Sequence, residues 1–164
     1  MLQKNWMDLI KPSKMDVNVQ ENDGRHGILI AEPLERGFGL TLGNSLRRIL
    51  LSSLQGAAIV SVKIKGVVHE FTTIAGVKED LTDILLNLKS IAVKVHSPGL
   101  KKMYIKAIGP GEIRAGNFET DSETEIMNRD QIIMTLDSNA DIEIEANIET
   151  GKGYVSAEVA EDEN

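Results

Sequence analysis

One segment, residues 41–53, constrains the fold of this chain more than any other. Its apolar residues recur with the period of an amphipathic helix, and Thr41 is a suitable N-cap residue. We therefore predict a helix over residues 42–53. Its apolar stripe consists of Leu42, Leu46, Ile49 and Leu50. A helix with such a stripe is stabilised mainly by covering it, so we expect these four residues to pack in a core.

The opposite face of this helix carries a different set of side chains. Asn44, Arg48 and Leu51 are spaced i, i+4 and i+7, so they share one side. Arginine is enriched at protein interfaces, where a neighbouring leucine can be desolvated. The pattern is compatible with a protein-docking face. It is also compatible with an ordinary surface, since isolated exposed leucines are common.

Three glycines, Gly37, Gly39 and Gly43, precede or begin this helix and invite comparison with nucleotide-binding loops. The dinucleotide pattern requires a glycine where Leu42 stands. The phosphate-loop pattern requires a lysine after its last glycine, but Asn44 follows Gly43. We therefore assign these glycines to the backbone freedom of a tight turn into the helix.

A second helix is predicted over residues 77–89. Its apolar stripe consists of Val77, Leu81, Ile84, Leu85 and Leu88. Glu79 and Asp80 are placed where the positive end of the helix dipole favours acidic groups. Leu86 lies off the stripe, as Leu51 does on the first helix.

The rest of the chain alternates apolar and polar residues in the manner of β-strands. Residues 15–19 and 28–31 flank a turn signal at 22–24 and predict a hairpin. Residues 57–65 predict a strand. Residues 67–72 predict a second strand that follows it and pairs with it. Beyond position 90 the pattern is almost entirely β, with strands predicted over 91–95, 103–107, 131–136 and 142–148. The fold class is therefore α+β.

Composition narrows the classes of function. The chain has 164 residues and no cysteine, which excludes disulfides and thiolate metal sites. Of the net charge of −7, residues 90–164 carry −8 and residues 1–89 carry +1. Such an acidic half disfavours non-specific nucleic-acid binding. No apolar run reaches the roughly 20 residues of a membrane span, and no signal-peptide pattern opens the chain, so we expect a cytoplasmic protein.

No group of residues has the spacing of a catalytic or metal site. His26, His69 and His96 share no ligand pattern, so we expect no catalytic residues, no metal and no cofactor. A direct nucleic-acid-binding module remains the alternative to a protein-docking role. It would use Lys63, Lys65 and Lys78 as a basic patch, although no aromatic stacking platform accompanies them.

Three blocks of sequence resemble one known family. The first is Glu32-Pro33-Leu34-Glu35-Arg36-Gly37-Phe38-Gly39, followed by Thr41-Leu42-Gly43-Asn44-Ser45-Leu46-Arg47-Arg48-Ile49-Leu50-Leu51-Ser52-Ser53. The second runs from Gly66-Val67-Val68-His69-Glu70-Phe71 through Gly76-Val77-Lys78-Glu79-Asp80 to Ile84-Leu85-Leu86-Asn87-Leu88-Lys89. The third, weaker block is Gly151-Lys152-Gly153-Tyr154-Val155. Together they resemble the amino-terminal domain of bacterial RNA polymerase alpha subunits, and Gln3-Lys4-Asn5-Trp6 resembles the alphaproteobacterial version.

The resemblance implies a mixed dimerisation lobe, made of strands and a long helix, with an inserted β-rich lobe. Residues 1–54 would form the first half of the dimerisation lobe and residues 55–164 most of the inserted lobe. Leu40 and Ser156 depart from the usual family residues. The family's amino-terminal domain continues past the position of Asn164, so we expect a fragment that aggregates readily.

The resemblance also implies partners and residue roles. Two alpha subunits would form a homodimer that captures the beta subunit and then the beta-prime subunit, without catalytic residues of its own and without direct DNA contact. By motif position the large-subunit interface would include Asn44, Arg48, Leu51 and Lys89. The stripe Leu42, Leu46, Ile49 and Leu50 would then serve core and dimer packing.

Overall fold

The computed structural model describes residues 8–19, 26–69 and 71–156. The chain divides into two compact units, Met1–Ser53 and Leu54–Asn164, which are described separately. The turn signal at 22–24, the segment Gln3–Trp6 and Glu70 lie outside the described residues.

The first unit contains a β-hairpin and one helix. Strands β1 (Lys14–Val19) and β2 (Gly27–Glu32) pair antiparallel, with Met15 opposite Ala31 and Val17 opposite Leu29. The predicted hairpin is therefore confirmed. Helix α1 (Phe38–Ser52) follows, and it begins four residues earlier than predicted.

The first unit has no core of its own among its described residues. None of them is buried, and the exposed apolar side chains include one face of the hairpin as well as the helix. On the hairpin that face comprises Met15, Val17, Val19 and Leu29. Since folding is stabilised mainly by removing apolar surface from water, these elements require a further surface to cover them.

The second unit is mostly β-structure. Its described residues form β3 (Gln55–Ile64), β4 (Val93–Val95), β5 (Lys101–Ile108), β6 (Gly111–Arg114), β7 (Glu119–Thr120), β8 (Thr124–Ile126), β9 (Ile132–Leu136) and β10 (Asp141–Lys152), with helix α2 (Leu81–Lys89) and a 3₁₀ turn at Ala115–Asn117. Six strands form one sheet in the order β7-β5-β10-β3-β4-β8, and β6 pairs with β9. An α+β fold class is thus confirmed. The short strands β6, β7 and β8 were not predicted.

The core of the second unit lies between helix α2 and the inward faces of the strands. Leu81, Ile84 and Leu88 of α2 are buried, which confirms the inward part of the predicted stripe. They belong to one cluster with the inward residues of the central strand β10, namely Ile142, Ile144, Ala146 and Ile148. Alternate residues of β10 face outward, as the period of two requires.

The predicted strand over 67–72 is wrong. Gly66 has a φ of +81° and turns the chain away from β3, and the described residues that follow it are irregular. Strand β3 instead pairs along its length with β10, and at Ala57 with β4. A partner distant in the chain has taken the place of the sequence neighbour, and local propensity does not reveal such pairing.

The second helix begins at Leu81 and not at Val77. Asp80 is its N-cap, and the Asp80 carboxylate accepts a hydrogen bond of 2.8 Å from the backbone N–H of Asp83. Val77 instead forms a bridge with Leu136 at the free side of β9. Residues 77–79 therefore run alongside β9 and do not belong to the helix. Glu79 consequently does not occupy the first turn of α2.

Glu79 completes the hydrogen bonding of strand β9. Its carboxylate accepts 2.7 Å and 2.9 Å hydrogen bonds from the backbone N–H and the hydroxyl of Thr135. Asn87 of α2 donates to the Ile133 carbonyl at 2.9 Å. Burial raises the pKa of Glu79, but the hydrogen bonds from Thr135 more than offset it and hold the pKa below its usual value.

We expect Glu79→Ala to lower the free energy of unfolding by about 1–3 kcal/mol at neutral pH, because the Thr135 N–H loses its acceptor. The folded-state pKa lies below the ordinary 4.5, so the wild-type carboxylate stabilises the fold above that pH. This contribution disappears as the pH falls through the lower folded-state pKa, so the variant should lose less stability on acidification. Urea unfolding at several pH values measures both effects. The control is Glu112→Ala, which removes an exposed partner of Arg114. It should lower the free energy of unfolding by about 1 kcal/mol or less.

Candidate subunit-docking surface

Helix α1 is preceded by a glycine whose backbone conformation other residue types adopt with strain. Gly37 has a φ of +87° and occupies the N-cap position, with no side-chain cap. Thr41 is therefore not the N-cap. It lies in the first turn and donates its hydroxyl to the Gly37 carbonyl at 3.4 Å. The turn role assigned to the glycines is correct for Gly37 and wrong for Gly39 and Gly43, which lie inside the helix.

The apolar stripe of α1 is uncovered within the described residues. The exposed fractions of its side chains are 41% for Leu42, 42% for Leu46, 53% for Ile49 and 59% for Leu50. The described residues of the first unit therefore do not supply the core that the stripe was expected to face. Its role in core or dimer packing stays a prediction.

The opposite face of α1 carries the residues proposed from spacing. Asn44, Arg48 and Leu51 lie within about 60° of one another at 100° per residue, on the side away from the stripe. Leu51 is 61% exposed. The helix is regular to its end, where Ser52 donates its hydroxyl to the Arg48 carbonyl at 2.6 Å.

Sequence reasoning missed two further residues on this face. Because α1 begins at Phe38 and not at position 42, Leu40 also belongs to the helix, at the i−4 position from Asn44. Leu40 is 76% exposed. Arg47 lies about 20° from Leu40 and about 40° from Leu51 around the helix, at 100° per residue. We call the set Leu40, Asn44, Arg47, Arg48 and Leu51 the outer face of α1. For Leu40 the missing signal was the starting point of the helix, whereas Arg47 lies inside the predicted helix and its angle alone places it on this face.

Lys89 does not belong to α1 but to the second unit. It is the last residue of α2 and is exposed, where a cation interacts favourably with the helix dipole. Leu86, one turn earlier, is also exposed. The dipole explains Lys89 without a partner, so its place in a large-subunit interface stays a prediction.

Two of the three lysines of the alternative nucleic-acid patch, Lys63 and Lys65, lie among carboxylates. Lys65 contacts Glu143 at 3.3 Å, and Lys63 lies opposite Glu145 in the pairing of β3 with β10. A hydrogen bond from Tyr104 and a second from Lys65 hold the pKa of Glu143 below its usual value. A hydrogen bond from Lys102 does the same for the pKa of Glu145. This outward sheet face therefore offers little unpaired positive charge to a phosphate backbone.

The described residues contain no group of three or more histidine and acidic side chains that could hold a metal ion. His26 and His69 are exposed, and His96 lies 3.9 Å from Glu125. No described helix combines the length and the apolar character needed to cross a membrane.

Comparison with protein-family models adds a match over the second unit. Residues 62–164, more than half of the chain, match the model described as the RNA polymerase Rpb3/RpoA insert domain. The chain belongs to this family. It carries an RNA polymerase alpha-type domain, and the α+β structure of its second unit is consistent with that insert domain. The match begins within β3, so helix α1 lies outside it.

Proposed function

We propose that this chain is a non-catalytic alpha subunit of DNA-directed RNA polymerase, of the alphaproteobacterial type. In this role it pairs with a second alpha subunit and scaffolds the assembly of the beta and beta-prime subunits in the cytoplasm. The catalytic residues of the nucleotidyltransferase then belong to the other subunits. Membership in the insert-domain family supports the polymerase role.

The observation that carries the assembly role is the two-sided exposure of α1. One side presents the leucine and isoleucine stripe, and the other presents two arginines between Leu40 and Leu51. A contiguous stripe of this kind on a helix is costly to leave in water, and it fits an isologous contact with the same stripe of a second copy.

The outer face of α1 suits a different partner. Arginine beside exposed leucine is the composition of interface centres, where a guanidinium can bind carboxylates in a bidentate manner. We assign this face, which includes Arg48 and Leu51, to the beta subunit. Lys89 in the second unit is assigned to the large-subunit interface as well.

A capture experiment tests the scaffold role: the tagged chain is immobilised and the beta and beta-prime subunits are added in turn. The chain should retain beta when beta is supplied alone, and it should retain beta-prime only when beta is also present. Retention of neither subunit under conditions where beta and beta-prime are soluble would contradict the proposal. A mobility-shift assay of the chain with duplex DNA at moderate salt should show no complex, and a tight complex would favour the nucleic-acid alternative.

A further inference from the structure

The second unit contains a cavity at the seam of its larger sheet. Strands β7 and β8 stand at opposite ends of the strand order, yet they are consecutive in the chain and line the same cavity of about 330 Å³. Thr120 of β7, Thr124 of β8 and Ser122 between them contribute to its wall. The two edges thus approach each other without pairing, which leaves a polar gap between them.

Arg129 brings a positive charge to this cavity. Among the described residues, no carboxylate lies within 4.0 Å of its guanidinium, whereas Arg114 nearby in the chain contacts Glu112 at 2.7 Å. A Cβ on Gly116 would lie 3.0 Å from the Arg129 Cβ and 3.4 Å from its Nε. Glycine at position 116 therefore leaves the space that the Arg129 side chain crosses.

A buried hydroxyl in the cavity wall also lacks a partner. Thr124 is 5% exposed, and its Oγ1 makes no hydrogen bond within the described part of the chain. A buried hydroxyl left in this state destabilises the fold, because it has lost its hydrogen bonds to water without replacing them. Within the described residues, the cavity wall therefore contains a guanidinium with no carboxylate neighbour and a hydroxyl with no hydrogen-bond partner.

The carboxylates in and beside the cavity differ in their neighbours. Glu125 in the wall lies 3.9 Å from His96. Glu123, just outside, is bonded to Lys101 and Ser97, and these hydrogen bonds lower the pKa of Glu123. Lys101 also lies 3.8 Å from Asp121. Of the lining residues, Arg129 alone carries a permanent positive charge, and Glu125 carries the one carboxylate.

We propose that this cavity binds a small anion through a carboxylate or phosphate group. Arg129 provides the counter-charge, since its planar fork of N–H donors matches both groups. The hydroxyls of Thr120 and Ser122 supply further donors. The cavity volume is at the lower end of the range for small-molecule sites, which suits one anionic group on a compact molecule.

Titration of the ¹⁵N-labelled chain with inorganic phosphate and, separately, with acetate tests the site at constant ionic strength, with chloride as the reference. We expect saturable amide shifts confined to the lining residues 96, 116–126 and 129. Saturation with phosphate alone would identify a phosphate site, and saturation with acetate alone a carboxylate site. Phosphate and acetate shifts no larger than those caused by chloride would overturn the proposal.

Three variants sharpen this titration. Arg129→Gln should weaken binding at least tenfold, whereas Lys106→Gln, which removes the same charge from an exposed position of β5, should leave it unchanged. Glu125→Gln should strengthen binding, because it removes a like charge from the wall. If Arg129→Gln alters the spectrum beyond the cavity, Ser122→Ala replaces it, with a loss of several-fold expected. Unchanged anion binding in Arg129→Gln, or in Ser122→Ala where that variant replaces it, would refute the proposed site.

Discussion

Replacing Gly109 with alanine is expected to destabilise the second unit by about 3 kcal/mol or more. A Cβ at this position would lie 1.8 Å from the Asp137 carbonyl oxygen and 3.2 Å from the Leu136 Cβ. The nearest obstacle is backbone, so no rotamer change relieves the overlap. The chain must move where Gly109 donates to the Ala140 carbonyl at 3.0 Å and Asp137 donates to the Gly76 carbonyl at 2.8 Å.

Urea unfolding followed by far-ultraviolet circular dichroism measures this loss. Gly56→Ala is the matched control, because a Cβ on Gly56, in strand β3, meets no atom within 4 Å. That control should be neutral or gain up to about 1 kcal/mol, since alanine restricts the unfolded chain. A Gly109→Ala variant as stable as the control would show that the segment between β9 and β10 does not lie against Gly109.

The second large effect is expected from charge on the α1 stripe. Leu46→Asp combined with Leu50→Asp should raise the dissociation constant of the alpha pair at least 100-fold, which corresponds to about 3 kcal/mol. The reason is that carboxylates without partners would be buried in an apolar contact. Sedimentation equilibrium over a range of concentrations measures the constant.

Asn44→Asp provides the control for this experiment. It introduces a carboxylate into the same helix, on the face opposite the stripe, and should leave self-association unchanged. Equal loss of self-association in both proteins would point to a general effect of charge on α1. Unchanged self-association of the double variant would show that the stripe does not form the dimer interface.

Sequence patterns predicted the elements whose stability is local. The hairpin β1–β2, the inward stripe of α2 and the alternation along β10 all follow from periods of two or 3.6 residues. The structure departs from the predicted elements where a residue distant in the sequence offers a competing interaction. Residues 77–79 satisfy the helical pattern, but Val77 and Glu79 instead complete the hydrogen bonding of β9 more than fifty positions away.

Only part of the candidate site could be predicted from the sequence. Helical spacing alone placed Asn44, Arg48 and Leu51 on one side of α1. It missed Leu40, because Gly39 and Gly43 suggested a turn, whereas only Gly37 has a positive φ in that segment. The cavity beside Arg129 had no sequence signal, since its wall is assembled from two sheet edges, a 3₁₀ turn and the residues around them.

Capture of the beta subunit by an Arg48→Ala variant tests the central claim most directly. Wild type, Arg48→Ala and the control Lys14→Ala, which changes a cation paired with Asp16 on β1, are compared by quantitative co-purification with beta. The proposed role predicts at least a tenfold loss of bound beta for Arg48→Ala alone, with self-association and the unfolding curve unchanged. Undiminished binding of beta by Arg48→Ala would contradict the assignment of the outer face of α1 to the large subunit.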